Sequence, residues 1–220
     1  MSASADASPP CPLCSSTAGR EWRDEHGSPY YFCPRCDLIH LHPEYRPSRD
    51  SERRRYLEHN NSPDEPGYVA YLTRFAEHAV FPYLPAGSRI LDFGSGPAPV
   101  MTAILNRRGY RAEPYDPFFA PDADLSPESY DGVAAVEVAE HLFNPAEEFN
   151  RMRRLLRPGG YLFLRTELHD GSPEFFSSWW YRRDRTHIVF YSRKTITYIA
   201  ATLGLRLAAC MRGRELVLAS

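Results

Sequence analysis

The stretch Leu91-Asp-Phe-Gly-Ser-Gly-Pro-Ala-Pro99 decides the fold of this 220-residue chain. A short apolar run that begins at Arg89 leads into it, and a helical pattern over residues 100–106 follows it. A strand that ends in an acidic residue and passes through a glycine loop into a helix predicts a nucleotide-type site at the carboxyl end of a parallel strand. Gly94 and Gly96 let the backbone turn sharply and approach a ligand closely. Taken alone, the motif is also compatible with a strand–turn–helix unit that binds nothing.

The loop favours one kind of ligand over another. A dinucleotide site has the pattern Gly-x-Gly-x-x-Gly and holds a pyrophosphate on free N–H groups. Pro99 stands at the third glycine position, and Pro97 removes a further N–H donor. S-adenosylmethionine (SAM) has no phosphate, so this loss matters little for it. The loop resembles the first motif of class I SAM-dependent methyltransferases, with Ala98 where many members carry another glycine.

Other segments extend this resemblance over roughly residues 68–220. Asp116 ends a second strand, 22 residues after Gly94, near the spacing expected for a carboxylate that accepts ribose hydroxyls. A small apolar strand over residues 131–137 ends at Glu137. The run Glu137-Val-Ala-Glu-His-Leu142 resembles a family segment at the mouth of the cofactor cleft, and Leu155-Leu-Arg-Pro-Gly-Gly160 is another family match.

The resemblance implies an α/β fold: a Rossmann-like class I methyltransferase core with a mostly parallel seven-stranded sheet and SAM as cofactor. Only residues 118–130 separate the second strand from the next, so the usual helix and strand between them must be short or lost. This leaves the adenine-contacting acidic residue open, with Asp122 and Asp124 as candidates. The candidate cofactor-binding residues are Asp92, Gly94, Ser95, Gly96, Asp116 and Glu137.

Two cysteine pairs near the amino terminus predict a metal site. Cys11-Pro-Leu-Cys14 and Cys33-Pro-Arg-Cys36 are separated by 18 residues, which fits the four-cysteine zinc pattern. Four thiolates complete a tetrahedron, so the zinc would be structural. About 45 residues bury too little apolar surface to fold unaided, so the metal would supply folding energy. Disulfides or a redox pair are the competing interpretation.

The chain is predicted to have three parts. Residues 1–47 form a small N-terminal zinc ribbon with a disordered amino terminus, residues 48–85 a linker or lid with the first helix, and residues 86–220 the SAM-binding core. In the family, the segment before the core commonly folds over the cofactor, whereas a plain linker is the alternative. This segment holds a polar and aromatic cluster: Tyr56, His59, Asn60, Asn61 and Tyr68.

The stretch over residues 179–192 should leave the sheet at its ligand-binding edge. Trp179, Trp180 and Tyr181 either line an acceptor pocket or cap the core. His187 has the chemistry of a general base near neutral pH, but it could equally hold the loop through Asp184 or backbone. The candidate catalytic residues are His187, His141 and Glu140.

Composition and motifs together predict a cytoplasmic enzyme. The net charge of −2 offers no electrostatic case for nucleic acid or membrane binding. There is no 18-residue apolar stretch and no signal-peptide pattern. The predicted function is SAM-dependent methyl transfer to a small-molecule acceptor: a sugar, a quinol or a natural-product metabolite. The alternatives are a non-catalytic SAM-binding or zinc-ribbon interaction protein, and a nicotinamide-dependent oxidoreductase. The sequence predicts no particular oligomeric state.

Overall fold

A computed structural model describes residues 8–24, 26–58 and 61–220. His59 and Asn60 of the predicted polar cluster, and residues 1–7 of the predicted disordered terminus, lie outside the described residues. Eleven strands are present in the described part of the chain. They are Arg20–Arg23 (β1), Pro29–Phe32 (β2), Ile39–Leu41 (β3), Arg89–Phe93 (β4), Arg111–Tyr115 (β5), Tyr130–Val136 (β6), Leu156–Arg165 (β7), Leu168–His169 (β8), Val189–Ser192 (β9), Arg206–Met211 (β10) and Glu215–Ala219 (β11).

The α-helices are Arg49–Glu58 (α1), Pro66–Phe75 (α2), Val100–Arg107 (α3), Pro145–Leu155 (α4), Pro173–Ser178 (α5) and Arg193–Thr202 (α6). A π-helical turn, Ala76–Val80, continues α2. Short 3-10 turns occupy Pro43–Tyr45, Ala139–His141 and Trp180–Arg183. Among the described residues, no helix combines the length and the apolar character needed to cross a lipid bilayer.

The larger sheet has six strands in the order β10-β11-β7-β6-β4-β5. Strands β5, β4, β6 and β7 are parallel, while β11 and β10 add an antiparallel edge. The predicted α/β, mostly parallel, Rossmann-like sheet with its closing hairpin is therefore confirmed. Parallel strands bring their carboxyl ends to one edge of the sheet, where ligands bind in such folds.

The structure corrects the predicted strand count from seven to six in this sheet. The segment between β5 and β6 contains a single isolated bridge, between Asp116 and Ala120, and no strand. A further parallel strand would need crossover connections of about a dozen residues or more, and this segment is too short for them.

Helices cover both faces of the sheet. Successive apolar side chains of its strands point to opposite faces, and each face packs against helices. Along β7, Leu162 and Leu164 pack into one apolar cluster with α4 and α6, whereas Phe163 packs into the other with α2 and α3. Leu91 and Ile90 of β4 divide in the same way. This period of two places an apolar side chain on each face, as a doubly covered sheet requires.

The amino-terminal strands belong to a second sheet, in the order β1-β2-β3-β9-β8. Strand β3 pairs antiparallel with β9, and the Leu41 N–H donates to the Ile188 carbonyl at 2.8 Å. The predicted ribbon strands around the second cysteine pair are thus present. They also pair with β9, which lies between β7 and β10 in the chain. Hydrogen bonds therefore cross the boundary at residue 47, which stays a prediction.

Candidate cofactor and acceptor site

One cavity of about 1040 Å³ opens at the carboxyl ends of the parallel strands. Loops after β4, β5 and β6 form its floor, and side chains from α1, α2 and the 180–187 segment form its walls. The residues that carry its chemistry are Glu52, Tyr71, Gly94, Ser95, Gly96, Asp116, Phe118, Glu137, His141, Arg165, Trp180, Tyr181 and His187. Most of the predicted cofactor-binding and catalytic residues therefore meet at one place.

The glycine loop is tied to the end of the neighbouring strand. The N–H groups of Gly94 and Ser95 donate to the Tyr115 carbonyl at 2.7 and 3.1 Å, and the Gly96 N–H donates to Asp116 Oδ2 at 3.0 Å. Gly94 and Gly96 have φ angles of +79° and +67°, the left-handed region that favours glycine. Because these N–H donors already have partners, few would be available to bind a pyrophosphate. The lack of N–H groups at Pro97 and Pro99 leads to the same conclusion.

Asp116 is buried at the cavity wall with both carboxylate oxygens in use. Besides Gly96, the N–H groups of Phe118 and Phe119 donate to its Oδ1 at 2.8 and 3.2 Å. A carboxylate has about four acceptor positions, so about one remains for a ligand hydroxyl. The acceptance of ribose hydroxyls by Asp116 remains a prediction. Asp122 is exposed and Asp124 pairs with Arg89 at 3.2 Å, and neither lines the cavity.

Asp92 lies behind the loop and not in the cavity lining. It is buried, and its Oδ2 accepts hydrogen bonds from the backbone N–H and the hydroxyl of Thr102, at 3.0 and 2.8 Å. It therefore anchors the first turn of α3 to the end of β4. Burial raises the pKa of Asp92 from 3.8 to about 6, with a smaller contribution from Asp116. Direct contact of Asp92 with the cofactor remains a prediction.

We expect Asp92→Asn to stabilise the protein at pH 7.5. The folded-state pKa lies above the unfolded one, so the charged carboxylate costs stability as pH rises from about 4 to about 6, by roughly 3 kcal/mol. Asparagine keeps an acceptor for Thr102 and never ionises. Urea unfolding at pH 4.5 and 7.5 should show a variant-minus-wild-type gain that shrinks at the lower pH. Asp92→Ala, which leaves the Thr102 N–H unpaired, should instead be destabilised by about 1–3 kcal/mol. A pH-independent difference for Asp92→Asn would contradict the assignment.

Glu137 is the hub of a hydrogen-bond network at the end of β6. It has a φ of +54° and accepts from the hydroxyls of Tyr71 and Tyr181 at 2.5 and 2.9 Å. The Arg165 guanidinium lies 3.3 Å from the same carboxylate and also donates to the Tyr71 hydroxyl. Sequence analysis did not identify Tyr71 or Arg165. Their roles depend on contact between α2, which holds Tyr71, and the end of β7, which holds Arg165. No local sequence pattern predicts this contact.

Glu140, His141 and His187 converge beside this network. Glu140 is fully buried, and its Oε2 accepts from the Thr166 hydroxyl at 3.0 Å. Burial, followed by the nearby Glu137 charge, raises the pKa of Glu140 well above its ordinary value. The His141 and His187 rings are in edge-to-face contact, with centroids 4.8 Å apart. The three predicted catalytic residues are thus neighbours, and their role in catalysis remains a prediction.

The consecutive aromatic residues divide between cavity and core. Trp180 is 62% exposed and lines the cavity, while Tyr181 is buried and reaches Glu137. Trp179 is buried against Phe190, with ring centroids 5.8 Å apart. Trp179 therefore belongs to the core and Trp180 to the cavity, and the binding of an acceptor there stays a prediction.

Helix α1 lies across the cavity mouth. The Arg55 guanidinium pairs with Asp184 at 2.9 Å, and the Arg49 guanidinium stacks 5.1 Å from the Phe118 ring. Glu52 is buried on the cavity side and accepts from the Tyr56 hydroxyl at 2.6 Å. Sequence analysis missed Glu52 because every residue from Arg49 to Arg55 is polar, so no pattern marks one face of this part of the helix as buried.

The four cysteines form a metal-type cluster in the described residues. The Cys11–Cys36 and Cys14–Cys33 sulfur atoms lie 3.6 and 3.5 Å apart, and all four sulfurs lie within 4.8 Å of one another. Zinc–sulfur bonds of about 2.3 Å give a tetrahedral edge of about 3.8 Å, so the cluster fits a structural zinc ion. The cysteines are buried in the same apolar cluster as residues of the main sheet, including Leu91 and Tyr191.

Comparison with known proteins agrees with this geometry. Residues 51–209 match the family described as "Methyltransferase domain". The chain therefore belongs to this methyltransferase family, and the family supports SAM as its cofactor. A search of curated proteins finds no match.

Solved structures share the fold at low sequence identity. A Burkholderia thailandensis 1,6-didemethyltoxoflavin-N1-methyltransferase, solved with 1,6-didemethyltoxoflavin and S-adenosylhomocysteine, is 14% identical, covers 71% of this chain and 77% of its own, and has a TM-score of 0.51. An Archaeoglobus fulgidus SAM-dependent methyltransferase is 18% identical over 63% of this chain and 69% of its own, with a TM-score of 0.50. A chain from a Haloferax volcanii complex, between the Trm112 methyltransferase activator and a protein described as a methyltransferase, is 14% identical, covers 79% of this chain and 98% of its own, and has a TM-score of 0.54.

Proposed function

We propose that this protein transfers a methyl group from SAM to a small-molecule acceptor. The observation that carries the proposal is the continuity of one cavity from the glycine loop at Gly94 and Gly96 to the side chains of His141, His187 and Trp180. The similarity to a methyltransferase that binds a small heterocyclic substrate supports this class of acceptor. A sugar, a quinol or a natural-product metabolite would fit such a site.

The chain's own residues would act mainly by positioning. SAM supplies an electrophilic methyl group on a positively charged sulfur when it is bound. The glycine loop would leave room for it, and Asp116 would accept one ribose hydroxyl. The hydrogen-bonded set of Glu137, Tyr71 and Arg165 would keep the floor of the cavity rigid. Holding the two reactants in line in this way can supply much of the rate of a group transfer.

The acceptor would lie at the end of the cavity walled by Trp180. This end also holds His141 and His187, whose rings are of the type that takes a proton near neutral pH. Helix α1 would cover the bound reactants as a lid, held by the Arg55–Asp184 pair. We further propose that the protein acts in the cytoplasm. We also propose that it has no nucleic acid or membrane partner, since a net charge of −2 provides no electrostatic attraction to either.

We expect Asp116→Ala to weaken SAM binding about ten- to a hundredfold. The substitution leaves a ribose hydroxyl without an acceptor, at a cost of roughly 1–3 kcal/mol, and also removes the acceptor of the Gly96, Phe118 and Phe119 N–H groups. Isothermal calorimetry measures the change. Asp122→Ala is the matched control, because Asp122 is exposed and outside the cavity. Equal affinities for the two variants would rule out this role for Asp116.

Transfer itself is tested with SAM that carries a deuterated methyl group. The protein is incubated with this SAM and a metabolite extract, and mass spectrometry follows labelled products and S-adenosylhomocysteine. We expect one labelled small molecule that is absent when Gly94→Val protein is used. SAM binding without any labelled product would favour the alternative, a SAM-binding or zinc-ribbon interaction protein. Binding of NAD but not SAM in a thermal-shift assay would favour an oxidoreductase.

A further inference from the structure

We propose that Glu140, His141 and His187 form a second metal site, which binds one divalent first-row transition-metal ion at the inner end of the cavity. Each residue offers one ligand atom, and the three atoms lie within 4.8 Å of one another. The set is distinct from the four-cysteine cluster in position and in ligand chemistry. The role of such an ion in catalysis rests on the proposed function, whereas its binding does not.

Both histidines are oriented as metal ligands usually are. His141 Nδ1 lies 2.9 Å from the Thr186 carbonyl, and His187 Nδ1 lies 2.6 Å from the Tyr181 carbonyl. A carbonyl oxygen only accepts, so each Nδ1 must carry the proton, and Nε2 is the nitrogen with the lone pair. A metal-bound histidine typically donates its other N–H to a backbone carbonyl or carboxylate in this way.

Glu140 supplies an independent reason to expect a ligand. Its side chain is fully buried, yet among the residues that the structure describes its Oε1 has no hydrogen-bond partner. The Tyr181 hydroxyl gives its proton to Glu137 at 2.9 Å, and the Thr166 hydroxyl is bound to Oε2 of Glu140. A buried carboxylate oxygen without a donor is costly, and a cation beside it would offset that cost. The orphaned Oε1 lies 3.9 Å from His141 Nε2.

The ligand set selects the class of ion. Two imidazoles and one carboxylate are typical of zinc, iron and their first-row neighbours, whereas magnesium and calcium prefer sites made of oxygen alone. Ligand atoms around one ion at about 2.0–2.2 Å are separated by about 3.0–3.4 Å. The observed separations, 3.9 Å between Glu140 Oε1 and His141 Nε2 and at most 4.8 Å within the set, must therefore shorten for the three residues to close around an ion.

The backbone around the three residues is held in place by contacts from another element. The Ile188 N–H donates to the Glu140 carbonyl at 2.9 Å, and the buried Tyr191 hydroxyl donates to the Ala139 carbonyl at 2.8 Å. His141 and His187 line the cavity, while Glu140 lies behind them. An ion at this place would face the cavity with open coordination positions, as catalytic sites with three protein ligands do. An oxygen of the methyl acceptor is the natural occupant.

Uptake of Co²⁺ tests the site in the full-length protein with its ribbon already loaded with zinc. We expect one further equivalent of Co²⁺ per chain by elemental analysis, with visible absorption that lacks thiolate charge-transfer bands. His187→Ala and Glu140→Gln should weaken Co²⁺ binding about a hundredfold while the ribbon zinc stays. His78→Ala, at a histidine outside the cavity that pairs with Glu215, should bind Co²⁺ like the wild type.

Calorimetry with SAM on each variant shows whether the cofactor end of the cavity is intact. Wild-type protein that takes up no Co²⁺ beyond the ribbon would overturn the proposal, as would unchanged uptake by both site variants. Methyl transfer without a second metal equivalent would overturn this inference and leave the proposed function standing. A second equivalent in a protein that transfers no methyl group would support the metal site and count against the proposed function.

Discussion

Gly94→Val is expected to abolish SAM binding, with at least about a hundredfold loss of affinity, in a protein that still folds. A Cβ atom at Gly94 would lie 2.4 Å from Cγ2 and 3.0 Å from Cγ1 of Val138, closer than non-bonded carbons approach. The φ of +79° is also unfavourable for a β-branched residue. The loop would have to move, and its hydrogen bonds to Tyr115 and Asp116 would be lost with it. Calorimetry measures the affinity, and a thermal melt shows that the chain is folded.

The matched control is Gly96→Ala, because Gly96 also has a positive φ but a Cβ there would meet nothing within 4 Å. We expect the SAM affinity of this variant to fall about thirtyfold or less, from a backbone cost of roughly 1–2 kcal/mol. The double variant Gly94→Ala/Val138→Ala should recover part of what Gly94→Ala loses, since it removes both Cγ atoms. Wild-type affinity in folded Gly94→Val protein would show that the assigned pocket is not the SAM site.

The second large effect is expected from the cysteine cluster. Cys33→Ser should abolish zinc binding by the four-cysteine cluster, a loss of one equivalent per chain. Loss of a structural metal is among the most destabilising single changes, and we expect more than about 4 kcal/mol. For a chain of this length that corresponds to a fall in melting temperature of roughly 8–16 °C. Elemental analysis and thermal denaturation measure the two effects.

This destabilisation should extend beyond the ribbon. Cys33 and Leu38 are buried in the same apolar cluster as Tyr191 and Ile196, and β3 pairs with β9. Strand β9 directly follows the segment that holds His187, so loss of zinc should also disturb the acceptor end of the cavity. Cys210→Ser is the control, because Cys210 lies in the edge strand β10, outside the cysteine cluster. Metal-free protein with an unchanged melting temperature would remove the zinc assignment.

Chelation can distinguish one cooperative unit from two modules. If zinc removal exposes only residues 8–47 to proteolysis and leaves SAM binding intact, the boundary predicted from sequence is correct. If SAM binding is lost as well, the ribbon and the core fold as one unit. Because β3 pairs with β9, we expect zinc removal to weaken acceptor binding. The effect on SAM binding at the glycine loop should be smaller, because this loop follows β4, which lies in the other sheet.

Most of the core could be predicted from sequence because local chemistry determines it. The apolar runs of β4 and β7 and the capping box of Ser192 and Thr195 at the start of α6 are short-range patterns. The missing strand between β5 and β6 was also foreseeable from segment length, although the family resemblance implied seven strands. Elements of this kind depend on propensities and hydrogen bonds within a few residues.

The candidate site was only partly predictable. Gly94, Gly96 and Asp116 were identified because loop geometry requires glycine and because strand ends expose carboxylates. Asp92 has the expected position in sequence, but its carboxylate accepts hydrogen bonds from Thr102 and does not line the cavity, so its contact with the cofactor stays a prediction.

The sequence alone determined the parallel α/β core, a glycine loop with too few N–H donors for a pyrophosphate, and the four thiolates of the ribbon. Each of these follows from residue types at fixed short spacings. Only the tertiary structure decided that Glu140 and His141 meet His187, that Arg165 and Tyr71 hold Glu137, and that β3 extends its sheet through β9. These contacts join residues far apart in the chain. Their formation depends on how whole elements pack around one core, which no local pattern of side chains encodes.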